Sequence, residues 1–326
     1  MYVSAGYLLE KRYKDIIIII INMFVALSFV GTLPSYIVES IYQIRCFFNG
    51  DIYLIINDIN SQYLLNIQKY NVTIIDYTTV CNLQFIEIVN KNMRKFCIVE
   101  NLKGREQLFI RSFERFFLLR NLMVSRNLQD CLFLELDNLI YDDPHIWVEE
   151  FSKHELCYMY DNDDRCSSGL MYVKEANSLD NFLDYILHFI SNSNEFMTEM
   201  TTLYRYFEMS QNHVQILPTF WNSTNVPTIA CTNYNKYNNT IFDALAIGCY
   251  LLGLDPHHTQ GVVTVGKKAE WCAIDYTKEV FEWKVDKKGR KIPYIYDGTK
   301  WLRINNLHVH SKQLQNGLSL PIEEKS

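Results

Sequence analysis

Cys131-Leu132-Phe133-Leu134-Glu135-Leu136-Asp137-Asn138-Leu139-Ile140-Tyr141 is the stretch on which the reading of this chain turns. An apolar run fit for a buried strand ends in two carboxylates at i and i+2, and apolar residues resume after one amide. Side chains alternate along an extended backbone, so Glu135 and Asp137 point to one side and Leu134 and Leu136 to the other. Two acids at the end of a buried strand are costly unless positive charge meets them. A divalent cation would do so, because hard oxygen ligands suit Mg²⁺ or Mn²⁺, and those ions also bind phosphates. Local sequence leaves open the alternative of solvated acids, or acids paired with arginine.

Upstream, strand and helix patterns alternate. Met23 to Gly31 reads as a core strand ending in a Gly31-Thr32 turn, and Pro34 follows where a helix can begin. Ile37, Ile41 and Ile44 mark one helical face. Asp51 to Ile56 is a second strand closed by Asn57-Asp58, Ser61 to Tyr70 a helix, and Val72 to Tyr77 a third strand. This alternation predicts an α/β fold with a mostly parallel sheet flanked by helices. Ligands in such sheets bind beyond the carboxyl ends of the strands, which puts Gly31, Thr32, Glu135 and Asp137 on one rim. Cys97 to Val99 reads as a further short strand. Glu106 to Arg126 is a long helix on which Arg111 and Arg115 stand one turn apart, within reach of a pyrophosphate or simply solvated.

The 326 residues carry 48% hydrophobic and 21% charged residues, the balance of a packed globular protein, and a single domain spanning 1–326 is the simplest division. A net charge of −6 argues against a nucleic-acid partner. Nine cysteines without a CxxC or CxxH pair read as reduced thiols. Lys11, Arg12 and Lys14 precede an apolar run from Ile16 to Val30, which opens with six isoleucines. Its length of about 15 residues is short of the roughly 20 a membrane span needs, and β-branched residues favour buried strand. A cytoplasmic protein is the expectation. The alternative is that residues 1–22 form an extension or short anchor that touches a membrane. Residues 315–326 read as a tail.

Downstream of the acidic strand, Pro144 and Trp147 fall in a short helix and Leu156 to Tyr160 in a strand. Asp161 to Asp164 reads as an exposed acidic turn. Ser167-Ser168-Gly169 leads a strand whose small residues permit close approach of a ligand. Helices follow from Ser178 and from Glu195 to Met209. Ile241 to Leu251 reads as an apolar helix, with Asp243 near its start as dipole partner or functional carboxylate. Asp255 follows after Leu254. Val285 to Lys291 reads as a charged hairpin tip. Leu307-His308-Val309-His310-Ser311-Lys312 places two imidazoles on one face of an extended segment, with a lysine two residues on. A His can complete a carboxylate metal site, and a Lys offers a point charge to phosphate.

The acidic strand end, the small-residue strand after it and the late His/Lys cluster together resemble a GT-A glycosyltransferase, the Rossmann-like nucleotide-diphospho-sugar transferase fold. The Leu307-to-Lys312 string and Phe242-Asp243-Ala244-Leu245-Ala246-Ile247-Gly248 are similar to LHxHSK and FDxAAIG segments of a microbial and viral subset. The resemblance implies a DxD-type motif at Glu135-Leu136-Asp137, with Asp137 as direct ligand of Mn²⁺ or Mg²⁺ and Glu135 acting through water or on the ribose. It implies His308 or His310 as the metal-binding imidazole and Lys312 on the phosphates. Gly31 and Thr32 would then face the nucleoside, and Arg111 or Arg115 would assist at the pyrophosphate. Asp243 and Asp255 become candidates for sugar contacts or for a general base in an inverting reaction. The implied donor is a UDP- or GDP-sugar and the acceptor a glycan, protein or lipid. The alternatives are an inactive sugar- or nucleotide-binding relative of the fold and a metal-dependent phosphohydrolase.

Overall fold

A computed structural model describes residues 23–99, 106–192, 195–224, 226–256 and 261–322. The first third builds three of the seven strands of a sheet. β1 (Phe24–Phe29), β2 (Ile52–Ile56) and β3 (Val72–Asp76) run parallel, in register at Val25↔Ile52 and Ile52↔Val72. α1 (Ile37–Phe47) and α2 (Leu64–Gln68) cross between them, and Ile37, Ile41 and Ile44 of α1 are buried as their spacing predicts. Phe24 to Leu27 are all buried, because helices cover both faces of a parallel sheet and remove the need for polar alternation. The described part of the Ile16–Val30 run is therefore a central strand. Its earlier residues lie outside the described ones. Among the described residues no helix is long and apolar enough to cross a membrane.

α3 (Leu83–Val99) and α4 (Glu106–Arg126) pack on each other. The strand expected at Cys97 to Val99 is instead the last turn of α3, whose Phe85, Val89 and Met93 bury one face at helical spacing. β4 (Gln129–Leu134) then enters beside β1, parallel to it, and β5 (Asn138–Ile140) follows the two acids. A 3₁₀ turn with Pro144 in its first turn leads into the one-turn α5 (Val148–Phe151). β6 (Leu156–Asn162) and β7 (Arg165–Glu175) form a hairpin, α6 (Ala176–Asn192) and α7 (Glu199–Met209) cover the sheet, and β8 (Val214–Leu217) closes its edge. The seven strands lie in the order β3-β2-β1-β4-β7-β6-β8. β7 alone is antiparallel to its neighbours, so the other six end on one rim. The expected α/β architecture, a mostly parallel sheet flanked by helices, is the one observed.

Two local expectations change. Asp161 is buried, not exposed, and its carboxylate takes the Arg165 guanidinium at 2.7 Å. The helix expected from Ile241 begins only at Ala246, as α8 (Ala246–Leu252), while Ile241 forms a parallel bridge with Ile304. Beyond it, β9 (Phe281–Val285) and β10 (Lys291–Tyr296) make the predicted hairpin, with β11 (Trp301–Arg303) at its side. β12 (Asn306–His308) leaves that sheet and pairs antiparallel with β5, Leu307 against Leu139 and His308 against Asn138. This two-stranded ribbon carries the end of the chain to the acids that follow β4.

Candidate active site

Beyond Leu134 the chain turns sharply. The Glu135 N–H donates to the Gly169 carbonyl at 2.9 Å and the Asn138 N–H to the Glu135 carbonyl at 3.0 Å. Gly169 has to be small, since a Cβ there would lie 2.8 Å from Asn138 Nδ2 and 2.9 Å from His308 Nδ1. The turn leaves Glu135 and Asp137 on the rim, where β12 delivers His308. Its Nδ1 lies 3.1 Å from the Ala244 carbonyl, which can only accept, so Nδ1 carries the hydrogen. Nε2 is left facing Glu135 Oε2 at 3.3 Å and Asp137 Oδ2 at 3.4 Å.

Lys312 completes the group from a tight turn. The Val309 N–H donates to the Asp137 carbonyl at 2.7 Å and the Lys312 N–H to the Val309 carbonyl at 2.9 Å. Lys312 takes φ +61°, a left-handed conformation costly for a long side chain, and its ammonium meets the Asp137 carboxylate. From α4, Arg115 pairs with Glu135 and reaches Ser168 Oγ at 2.8 Å and Glu199 at 3.3 Å.

The electrostatics follow from these pairings. Burial opposes ionisation of Asp137, yet Lys312 and His308 hold its carboxyl well below the usual range. Glu135 is likewise lowered, burial being overruled by Arg115 and His308. Burial disfavours the imidazolium of His308, but Asp137 and Glu135 raise its pKa to about 9. Glu199 is shifted upward by burial, which Arg115 only partly offsets. Ionised Glu135 and Asp137 thus face Arg115, Lys312 and protonated His308, with Glu199 on the far side of Arg115.

One ligand atom each of Glu135, Asp137 and His308 lies within 4.8 Å of the other two. Two carboxylate oxygens and an imidazole nitrogen whose other nitrogen is held by a carbonyl fit a divalent cation. The mixed oxygen–nitrogen set favours Mn²⁺ over Mg²⁺, which prefers oxygen alone. The cluster opens into a cleft of about 410 Å³, within the range of small-molecule sites, walled by Phe29, Val30, Tyr36, Arg111 and Phe133. Burial, then Asp137, pushes the Tyr36 phenol up to about 12, so it stays a neutral hydroxyl. Larger hollows, of about 650 Å³ beside His154 and Tyr204 and about 740 Å³ beside Trp221 and Tyr296, gather no such cluster among the described residues. Volume alone does not mark the site.

The structure sorts the remaining candidates. His310 stands outside the cluster. Its Nδ1 accepts the Asp255 N–H at 2.9 Å and its ring lies 5.8 Å from Trp271, because the extended segment ends at His308 and the common face ends with it. Asp243 is 1% exposed, and its carboxylate accepts the N–H groups of Ile247 (2.9 Å), Gly248 (2.8 Å) and His308 (2.9 Å). It caps α8 and pins β12, the helix-start role that was one of the two readings of its place in the sequence. Burial raises its carboxyl to about 6 against those three donors. Asp255 holds His310 through its backbone N–H. Arg115, a candidate for a pyrophosphate or a solvated face, is engaged by Glu135, Ser168 and Glu199. Arg111 lines the cleft while paired with buried Glu114, which also accepts the Tyr77 hydroxyl. Gly31 has φ +141° and donates its N–H to Asn57 Oδ1 at 2.7 Å, so its turn is held by the end of β2 next to the cleft wall, with exposed Thr32 beside it.

The sequence assigns no site role to Tyr36, Glu199, Asn138 or Asn306, and gives Ser168 only as a small residue at a strand entry. Asn306 bridges Asn138 Oδ1 (2.9 Å) and the Asp243 carbonyl (2.9 Å), sewing the ribbon to the start of α8. Local signals exist for some of them: an amide inside an apolar run at Asn138 and at Asn305-Asn306, and the small-residue entry to a strand at Ser168.

The sheet order and the flanking helices make this a mostly parallel α/β fold with one antiparallel strand. In structure the chain is similar to the PaToxG glycosyltransferase (14% identity, TM-score 0.37, covering 58% of this chain and 69% of that one). It is also similar to glycosyltransferase GlyE of Streptococcus pneumoniae TIGR4 (12%, 0.42, 60% and 44%) and to the bifunctional WbbM (12%, 0.41, 68% and 44%). The chain thus spans less than half of the latter two. No protein-family model matches the sequence, and no curated protein matches it. Likenesses this distant decide nothing about the reaction, which rests on the side chains.

Proposed function

We propose that this chain is a divalent-metal-dependent glycosyltransferase that takes its sugar from a nucleotide diphosphate and passes it to a glycan, protein or lipid acceptor. The supporting observation is the convergence of Glu135, Asp137, His308 and Lys312, from β4, the β5–β12 ribbon and the turn after it, at the mouth of one cleft. When bound, Mn²⁺ would neutralise the charge that develops on the leaving diphosphate. Glu135, Asp137 and His308 would hold it, and Lys312 would add a second positive charge able to leave Asp137 for a phosphate oxygen. Phe29, Val30 and Tyr36 supply an apolar wall for a nucleoside. Arg111, one-third exposed, is the arginine left to face the cleft. Asp243 is not offered as a general base, since its oxygens serve three backbone N–H groups.

The test is hydrolysis and transfer across UDP- and GDP-sugars with Mn²⁺, Mg²⁺ or EDTA. Turnover should need the cation and prefer Mn²⁺. Asp137→Asn should lower it by at least about a hundredfold, the several kcal/mol that a Lewis acid contributes. Absence of both turnover and metal-dependent nucleotide binding in the wild type would sink the proposal. Metal-dependent binding without turnover would point to a retained binding protein, and phosphate release to a phosphohydrolase.

A further inference from the structure

We infer that Arg115 is the positioning residue of the cation site, holding Glu135 so that one chosen oxygen faces the cation, with Ser168 and Glu199 fixing Arg115 in turn. The inference rests on the reading of Glu135 as a cation ligand. Arg115 lines the cleft and is 9% exposed, with its guanidinium 5.2 Å from the Phe116 ring centre and 5.8 Å from that of Phe133. Nη1 donates to Glu135 Oε1, while Nη2 donates to Ser168 Oγ at 2.8 Å and lies 3.3 Å from Glu199 Oε1.

With Oε1 taken, Glu135 presents Oε2 alone toward His308 Nε2. A carboxylate free to rotate could offer a cation either oxygen or both, so this hydrogen bond sets denticity as well as direction. The task needs a planar fork whose two ends serve different acceptors, and lysine, a single point charge, cannot do both. Glu199 contributes differently. It stands in the first turn of α7, where Thr198 and Thr201 cap each other's backbone, so its place is set by the helix start. Its charge shares Arg115 with Glu135, leaving Glu135 more electron density to give a cation than a private ion pair would.

A purely structural ion pair, pinning α4 and α7 to the sheet, would use the same contacts, and cation binding separates the two roles. Mn²⁺ binding to the full chain is followed by electron paramagnetic resonance, with thermal stability measured alongside. The variants are Arg115→Lys, Glu199→Gln and Ser168→Ala. Arg120→Lys is the control, since Arg120 stands on the same helix as Arg115 and pairs with Asp180 of α6, away from the cluster. Arg115→Lys should weaken Mn²⁺ about ten- to a hundredfold and change the spectrum of the bound ion, the usual range for residues that orient a ligand. Glu199→Gln and Ser168→Ala should weaken it less, and Arg120→Lys should not change it. A folded Arg115→Lys that binds Mn²⁺ within about twofold of wild type overturns the inference, as does an equal loss in Arg120→Lys. If Arg115→Lys does not fold, unchanged affinity and spectrum in both Ser168→Ala and Glu199→Gln overturn it. Wild type that binds no Mn²⁺ refutes the cation reading itself, a separate failure that takes this inference with it.

Discussion

Asp137 is gripped at both ends, its carbonyl by the Val309 N–H and its carboxylate by Lys312 and His308. The same turn separates two histidines that a periodicity of two would treat alike. His308 lies in β12 with Nε2 toward the acids, and His310 lies past the strand with Nδ1 on the Asp255 backbone. His308→Ala should therefore lose most of the Mn²⁺ affinity and His310→Ala little of it; equal losses in a binding titration would contradict this geometry. The pH dependence has a definite sign. The His308 pKa is raised to about 9, and a cation needs the neutral Nε2, so below pH 9 each ion bound expels a proton. Apparent Mn²⁺ affinity should fall about tenfold for each pH unit between pH 9 and 6 and level off above 9. A flat profile over that interval would show that His308 does not ligate. That a His and two acids meet was readable as a suggestion in the residue types. Which His it is depends on where a strand ends, and no residue type announces that.

At the scale of elements, the start of α8 is decided by one buried carboxylate. Asp243 supplies the acceptors that the first turn of a helix lacks and extends the same service to His308 on β12. Gly248 lets the two elements touch, since a Cβ there would lie 2.1 Å from the His308 carbonyl oxygen. Asp243→Ala would leave three buried N–H groups without acceptors and should cost about 3 kcal/mol or more, read as a lower denaturant midpoint. Asp243→Asn keeps one acceptor oxygen and should cost less. A fully stable Asp243→Ala would return this residue to the list of functional candidates. In sequence, an acid inside an apolar segment looks the same whether it serves a substrate or a backbone. α3 teaches the complementary lesson. Its Cys97-Ile98-Val99 ending has strand-like residues, but Phe85, Val89 and Met93 upstream had set a helical face, and a helix already nucleated extends at little cost.

In the whole molecule the site depends on contacts between distant parts of the chain. Asn138 and Asn306, joined by a hydrogen bond, are 168 residues apart, and β5 and β12 exist as a ribbon only together. A cation held across that ribbon binds the folded state alone. At a hundred times its dissociation constant, Mn²⁺ should add about 2.7 kcal/mol and raise Tm by roughly 4–6 °C, reversed by EDTA. Equal Tm with and without Mn²⁺ at such concentrations would deny the site. By itself the sequence determined the alternation of β1, α1, β2, α2 and β3, the full length of α4, the acid pair at a strand end and the hairpin between β9 and β10. Each of these is written in the spacing of apolar residues or in turn chemistry over a few residues, because an element's buried face repeats with its own backbone period. Only the tertiary structure decided that β7 runs antiparallel, that Arg115 serves Glu135, that Asp243 is a cap and that His308, not His310, faces the acids. Those outcomes depend on which distant backbone groups pair and which side chains burial leaves without water, and neither quantity is periodic along the chain.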